Sequence, residues 1–529
     1  MLLGGICLKR NQLYNRLRTV LLVLVLAGCF CVIAFLNFSA APSFYDADMY
    51  CDYRYAMETW KHRSIFPDGW VFGNQLNVVS TPVLAALFYG FTGSPNFAMA
   101  AASTIMAVLL TVSYDWMMKP GLKEPESRLL AIILLITVSL YCGKAVHGNQ
   151  GWTLLFTMCT YYAGYSITAF LAFGCYLRSL FCWSKKDNYL LLLTWLFSFG
   201  TGIQSIRQTA IMIVPILAVE FFRMLVCISD WKANRKPLWV ALGITIFNIL
   251  GLVYIRIFPV NQHPVFGTIE IVHLQDLGWS IQNSFSMIQD LLKAGYPEDL
   301  LVLTVLVVLC VVAFLWMLKD CRKEAGKIVL VLTLLLSFSV LVIVAINFLT
   351  TMYIRPRYYF MLYPLFGLLF AYGYTRGDKY IRNGGLALLI LFLSIACVRN
   401  LPDVCTSAIR QKEEKSHEIS SYLQERGYTT IYATWWLGQD IAVASNGEIE
   451  VGYWYTEDRP FEAVPYLCNL DLYDASPDSC VYLFSGQETL EIAAAEAESR
   501  GVVLELVHYI PEQDLYFCTS AANLMQVIN

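Results

Sequence analysis

Three carboxylates close together are the first residues of this 529-residue chain whose types and spacing could do chemistry. The stretch FYDADMYCDYRYA, residues 44–56, sets Asp46, Asp48 and Asp52 within seven positions, directly after a run of some twenty apolar residues. Asp48 and Asp52 are four apart, so on a helix they share a face. Residues 48–63 carry the aromatic and charged mixture of a helix lying at a membrane interface. A carboxylate there could take a proton from an attacking hydroxyl or hold a divalent metal such as Mg or Mn, although no metal-ligand set can be read. Two of the acids also have a plain structural reading, Asp46 as a helix cap or solvated acid and Asp52 as an ion-pair partner of Arg54 or another cation.

The elements that must position these acids follow from composition. With 57% hydrophobic and 15% charged residues, the chain is too apolar and too long for an ordinary soluble domain and reads as a polytopic membrane protein. Apolar runs near 19–38, 97–117, 129–142, 152–177, 190–202, 207–228, 237–258, 300–318, 327–349, 357–375 and 384–398 give eleven candidate spans. The stretch 81–93, thirteen residues with Pro82 and two glycines, suits an interfacial helix better than a crossing. LAGC at 26–29 resembles a lipoprotein cleavage box, but the apolar run continues past Cys29, as in an uncleaved signal anchor.

Lys9, Arg10, Arg16 and Arg18 place the N-terminus in the cytoplasm by the positive-inside rule. The loops near 118–128, 178–188, 229–236, 319–327 and 376–382, each with three or four Lys/Arg, then fall on the same side. Long external loops follow at about 39–96 and 259–299. A transmembrane domain over 1–399 is expected, with residues 400–529 as an extracytoplasmic domain of the cell membrane protein. That tail holds 21 acidic and 6 basic residues against 19 and 31 in the remainder, so it gives no footing for nucleic acid. HEISSYLQERG and 488–500 read as helices, and TTIYAT, IEVGYW, VYLF, VVLELVHY and LYFC as strands, a small α/β fold.

Sixteen cysteines are scattered without a C-x-x-C pair or zinc spacing and read mostly as core hydrophobes. Cys405, Cys468, Cys480 and Cys518 lie in the tail, where external disulfides could form. Asp115 and Glu220, near cytoplasmic helix ends, read as structural, Glu220 with Arg223 as partner.

The same topology puts certain cations on the wrong side: Lys144 and His147 in GKAVHGNQG, Arg207 in IQSIRQT, and Arg355 and Arg357 in YIRPRYY. External Lys/Arg near membrane ends runs against the usual bias. A phosphate at the outer leaflet would explain them, since guanidinium forks bind phosphate oxygens.

One span, a long acidic external loop, many further spans, a second external loop and an external C-terminal domain together resemble the GT-C superfamily of membrane glycosyltransferases. Asp48-Met-Tyr50-Cys-Asp52-Tyr53-Arg54 resembles the D-x-Y-x-N-Y-R stretch in the first external loop of the oligosaccharyltransferase catalytic subunit. SIFPDGW and STPVLAALFYGFTGSPNFA are similar to that loop in dolichyl- and undecaprenyl-phosphate sugar transferases, including the aminoarabinose transferase of lipid A. Trp435-Trp436 begins like the W-W-D sequon motif, but Leu437 stands in place of Asp, which leaves the two tryptophans as domain core or as a sugar-stacking surface.

The resemblance implies transfer of a sugar from a polyprenyl-phosphate carrier to a glycan, lipid or protein acceptor outside the membrane, with inversion at the anomeric carbon. Asp48 would then be the general base or metal ligand, with Asp46 and Asp52 assisting. Arg355, Arg357, Lys144, His147 and Arg207 would hold the lipid phosphate. No phosphate-binding glycine loop indicates a soluble nucleotide cofactor. Rival readings are a transporter or flippase for a lipid-linked saccharide, a glycan polymerase or ligase, and an inactive glycan-binding homologue. Ionisable residues concentrated at helix ends favour the enzyme over the transporter.

Overall fold

The computed structural model describes residues 2–40, 45–141, 154–226, 234–262, 270–292, 297–350, 356–404 and 407–527. Lys144, His147, Arg355 and Cys405 lie outside the described residues. The chain divides into two compact units, one of residues 1–34, 104–257 and 268–401, the other of 35–103, 258–267 and 402–529.

In chain order the helices begin with α1 (Leu2–Phe35), α2 (Ala47–His62), α3 (Thr81–Thr92), α4 (Pro95–Met118) and α5 (Pro125–Tyr141). Next come α6 (Ala163–Phe181), α7 (Asp187–Gln204), a π-helical segment at Thr209–Ile213 that runs into α8 (Val214–Val226), and α9 (Lys236–Ile257). Then follow α10 (Leu277–Leu292), α11 (Pro297–Asp320), α12 (Glu324–Leu349), α13 (Leu362–Arg376) and α14 (Lys379–Val404). The last are α15 (Ser407–Glu425), α16 (Gln439–Ala444) and α17 (Gln487–Ser499). The apolar runs expected to cross the membrane are mostly helical in their described parts, but 152–177 is largely irregular until Ala163 and 357–375 opens with the 3-10 turn Pro356–Tyr359 before its helix begins at Leu362. Among the described residues five segments are long and apolar enough to span by themselves: Arg16–Ser39, Pro95–Met118, Thr209–Val226, Lys236–Ile257 and Glu324–Leu349. Helix α3 has 12 residues, a rise of about 18 Å against roughly 30 Å of hydrocarbon. The chain is an integral membrane protein.

Within the first unit the helices approach closely through small residues, as lipid-embedded helices do. A side chain at Gly202 would strike the backbone of Asn248, and one at Gly251 would strike Phe199 and Ile203, so α7 and α9 touch backbone to backbone. Asn248 is fully buried; its amide donates to Ser198 O at 3.1 Å and accepts from Thr209 Oγ1 at 2.7 Å. Ser339 of α12 donates to Ile211 O at 2.7 Å, giving the π-helical segment a partner for its displaced carbonyl. Glu220 is buried between Arg223 (2.6 Å) and the Tyr176 hydroxyl (2.8 Å), and Asp115 pairs with Arg128 at 2.8 Å, as their structural reading expected.

The second unit is built on a seven-stranded sheet. Its strands are β2 (Thr430–Thr434), β3 (Glu450–Thr456), β4 (Arg459–Ala463), β6 (Cys480–Ser485), β7 (Leu504–Ile510), β8 (Leu515–Ser520) and β9 (Gln526–Val527), in the order β7-β8-β6-β2-β3-β4-β9. Central β2 runs parallel to both β3 and β6. Alternation puts Tyr432, Trp454, Tyr482 and Phe484 into one core with Ala493 and Ala497 of α17. A second, two-stranded sheet pairs β1 (Trp70–Val71) of the first loop with β5 (Cys468–Asn469) of the tail. Cys468, Cys480 and Cys518 are buried free thiols rather than members of a disulfide.

The first loop belongs to the same compact unit as the tail, and the reason is local. Between the start of β3 and its pairing with β4 at Trp454, the Val451 peptide has polar groups to satisfy. Helix α2 satisfies them: Val451 N donates to Tyr50 Oη at 3.1 Å, and Arg54 Nη1 donates to Val451 O at 3.2 Å. Arg54, 2% exposed, also pairs with Glu450 at 3.3 Å, so its partner is Glu450 and not the nearby Asp52. One turn on, Glu58 accepts from Asn469 Nδ2 at 2.8 Å. Farther along the loop, Asn96 Nδ2 donates to Val443 O at 3.0 Å.

Removing the Glu450 charge strands a buried guanidinium, so Glu450→Ala is expected to cost roughly 1–3 kcal/mol of stability. The double variant Arg54→Met/Glu450→Ala should lose less than the sum of its single variants in thermal melts of detergent-solubilised protein. Strict additivity would show that the pair is uncoupled.

Candidate functional site

The three carboxylates occupy three different environments on one helix. Asp46 is the N-cap of α2: its backbone is extended and its carboxylate accepts from Met49 N at 2.8 Å. That bond satisfies one of the orphan donors of the first turn. Asp48 sits in that turn, half-buried, and among the described residues its carboxylate accepts no hydrogen bond and meets no cation. Asp52, one turn on, accepts from Asn77 Nδ2 at 3.2 Å. Asn77 is fixed in turn, since its carbonyl accepts from the Tyr55 hydroxyl at 3.0 Å.

Burial pushes the Asp52 carboxyl up to about 8; the Asn77 hydrogen bond opposes this, and repulsion from Asp48 and Asp46 adds to it. At neutral pH Asp52 therefore holds its proton beside an acceptor-bearing Asp48. Asp46 caps the helix end, and among the described residues no three His, Cys, Asp or Glu group as metal ligands.

The cations fall in the other unit. Arg207 lies at the start of the helix that the π-helical segment continues, its guanidinium 4.5 Å from the Tyr358 ring, 5.1 Å from Tyr162 and 5.7 Å from Tyr165. Arg357, in the short 3-10 turn Pro356–Tyr359, acts electrostatically on both Tyr162 and Arg207. The rings of Tyr162, Tyr165 and Tyr358 thus surround Arg207, and Phe360 stacks on Tyr162 at 4.7 Å. The segment leading to Tyr162 carries left-handed backbone at Met158 (φ 57°) and Thr160 (φ 41°). For a β-branched threonine that conformation is costly and collects where a site over-determines the backbone. Tyrosine faces attract guanidinium groups, and a surrounding of rings keeps water partly away from any anion bound there.

Of the sequence candidates, Asp46, Asp48 and Asp52 come together in the second unit, and Arg207 and Arg357 in the first. Sequence reasoning missed Asn77, Glu450, Tyr162, Tyr165 and Tyr358. Tyr358, next to Arg357, had an adjacency signal; Tyr162 is one of 32 tyrosines and had none. The tryptophan pair divides: Trp435 packs on Tyr453 and Tyr466 at 4.8 and 5.6 Å, whereas Trp436 is 67% exposed.

No protein-family model matches this sequence, and no curated protein matches it either. Among solved structures, the chain is similar to ArnT from Cupriavidus metallidurans, crystallised bound to undecaprenyl phosphate. The TM-score is 0.52 at 10% identity, over 96% of this chain and 99% of that one. The fold is that of ArnT. An ArnT-like architecture, a polytopic helical body with an α/β C-terminal region, is what the GT-C resemblance implied. At this identity ArnT informs the fold, and the residues stand on their own chemistry.

The raised Asp52 carboxyl has a sign that can be checked. From the ordinary carboxyl value near 4 up to about 8, the folded state holds a proton that the unfolded chain has released. Stability should therefore fall as pH rises through that window. Asp52→Asn, permanently neutral and still able to accept from Asn77, should melt like wild type at pH 4 and higher than wild type at pH 9. Parallel melting curves at both ends would place Asp52 in solvent.

Proposed function

We propose that this protein is a membrane glycosyltransferase that moves a sugar from a polyprenyl-phosphate donor to an acceptor on the outer side of the membrane. The observation that carries the reading is the ArnT fold over nearly the whole chain, in a neighbour that binds undecaprenyl phosphate. Arg207 in its tyrosine ring, within electrostatic reach of Arg357, supports it, because a lipid phosphate is an anion such a site suits. In this reading the N-terminus is cytoplasmic and the C-terminal α/β region extracytoplasmic.

The acceptor hydroxyl attacks the anomeric carbon as the bond from that carbon to the phosphate oxygen breaks. Asp48 takes the hydroxyl proton, since its carboxylate has an uncommitted acceptor capacity that Asp46 and Asp52 lack. Asp46 fixes the end of the helix that carries Asp48. Protonated Asp52 keeps a second negative charge away from the base. The electron pair leaves on the polyprenyl phosphate, where Arg207 and Arg357 stabilise the growing charge; Arg355, Lys144 and His147 are assigned to the same phosphate from sequence.

The test is transfer of label from radiolabelled polyprenyl-phosphate sugars into membrane glycans, lipids and proteins by purified protein in lipid. Arg207→Ala should weaken transfer by roughly 10²-fold, with Arg207→Lys recovering part of it as a point charge without the fork. Failure of wild type with every polyprenyl-phosphate sugar, or full activity in Arg207→Ala, would overturn the assignment.

A further inference from the structure

The C-terminal sheet has a feature that the transfer chemistry does not use. From β2 the chain passes through α16 to β3 on one side, while from β6 it passes through α17 to β7, beyond β8, on the other. The boundary between β2 and β6 is therefore where the connections diverge, and in open α/β sheets ligands occupy the crevice at the carboxyl ends of the strands at such a point. A cleft of about 310 Å³ lies there, at the small end of the roughly 300–1,000 Å³ of small-molecule sites.

Its walls include Trp436, Gln439 and Asp440 from the segment after β2, Ser485 at the end of β6, Gln513 before β8, and Tyr45. Trp436 is 67% exposed, an unusual position for an indole unless its face is used. Gln439 is 8% exposed; its Nε2 donates to Trp436 O at 3.0 Å, and among the described residues its buried Oε1 has no hydrogen-bond partner. A buried amide oxygen without a donor costs free energy until a ligand supplies one. Among the described residues no Lys, Arg or His lines the cleft, and Asp440 does, so an anionic ligand is disfavoured.

An aromatic face beside amide and carboxylate acceptors matches a sugar ring, whose C–H face stacks on the indole while its hydroxyls donate to the acceptors. Tyr45 directly precedes the Asp46 cap, so this cleft opens beside the end of α2 that carries Asp48. We infer that the cleft binds a saccharide portion of the acceptor, which makes the acceptor a glycan; the inference rests on the glycosyl-transfer reading for the word acceptor, and on the cleft alone for the binding.

The experiment is binding of full-length, detergent-solubilised protein to an array of neutral mono- to tetrasaccharides, with unglycosylated peptides on the same surface and no donor present. Wild type should bind saccharides. Trp436→Ala should weaken that binding by about tenfold, a stacking contribution lost; Gln439→Leu should do likewise, and Trp436→Phe should keep most of it. Asp48→Asn should bind as wild type does, which separates this inference from the catalytic one. Thermal melting of each variant controls for folding. Absence of saccharide binding, capture of peptides in its place, or saccharide binding indifferent to both Trp436→Ala and Gln439→Leu would each overturn the inference, whatever the outcome of the transfer assay.

Discussion

One guanidinium fixes the second unit. Arg54 is buried, yet it projects from a loop helix onto the start of a strand some four hundred residues later, where it donates to the Val451 carbonyl and pairs with Glu450. Burying a cation is costly unless it is paired and hydrogen-bonded, so α2 is held in one register along β3. Tyr50, one turn earlier, takes the Val451 N–H, and Glu58, one turn later, reaches Asn469. With the helix fixed on this face, the side chains at 46, 48 and 52 are sorted into a cap, an open carboxylate and a buried acid.

The sorting gives three chemically identical side chains different properties. Asp46 and Asp52 each have a partner that claims them, a backbone N–H in one case and the Asn77 amide in the other. Because Asp52 stays protonated up to about 8, the repulsion that three adjacent carboxylates would create is relieved. In the other unit the problem is inverted: Arg207 feels the like charge of Arg357, and it is Arg207 that tyrosine faces surround.

What could be read in the sequence was what period and composition encode. The apolar runs, the helix at 47–62 and strands β2, β3, β6, β7 and β8 stand out as apolar or β-branched and aromatic runs, whereas β4, the polar Arg459–Ala463, was not read. The two-residue strands β1, β5 and β9 are too short to show any period, and the π-helical segment has no signature of its own. Asp46 as a cap was legible because a cap acts within three residues; for Arg54 the sequence offered only the nearby Asp52 as one possible partner, because Glu450 lies 396 positions away. The tryptophan pair was ambiguous for a similar reason, since the packing of Trp435 against Tyr453 and Tyr466 depends on β3 and the segment beyond it.

The central claim is that Asp48 takes the acceptor proton, and single-turnover transfer tests it most directly. Enzyme preloaded with labelled polyprenyl-phosphate sugar is mixed with acceptor, and the chemical step is followed for wild type and Asp48→Asn. The account predicts unchanged donor affinity and a chemical rate lower by about 10²–10⁴-fold. An undiminished rate in Asp48→Asn would contradict it and remove Asp48 from the chemistry.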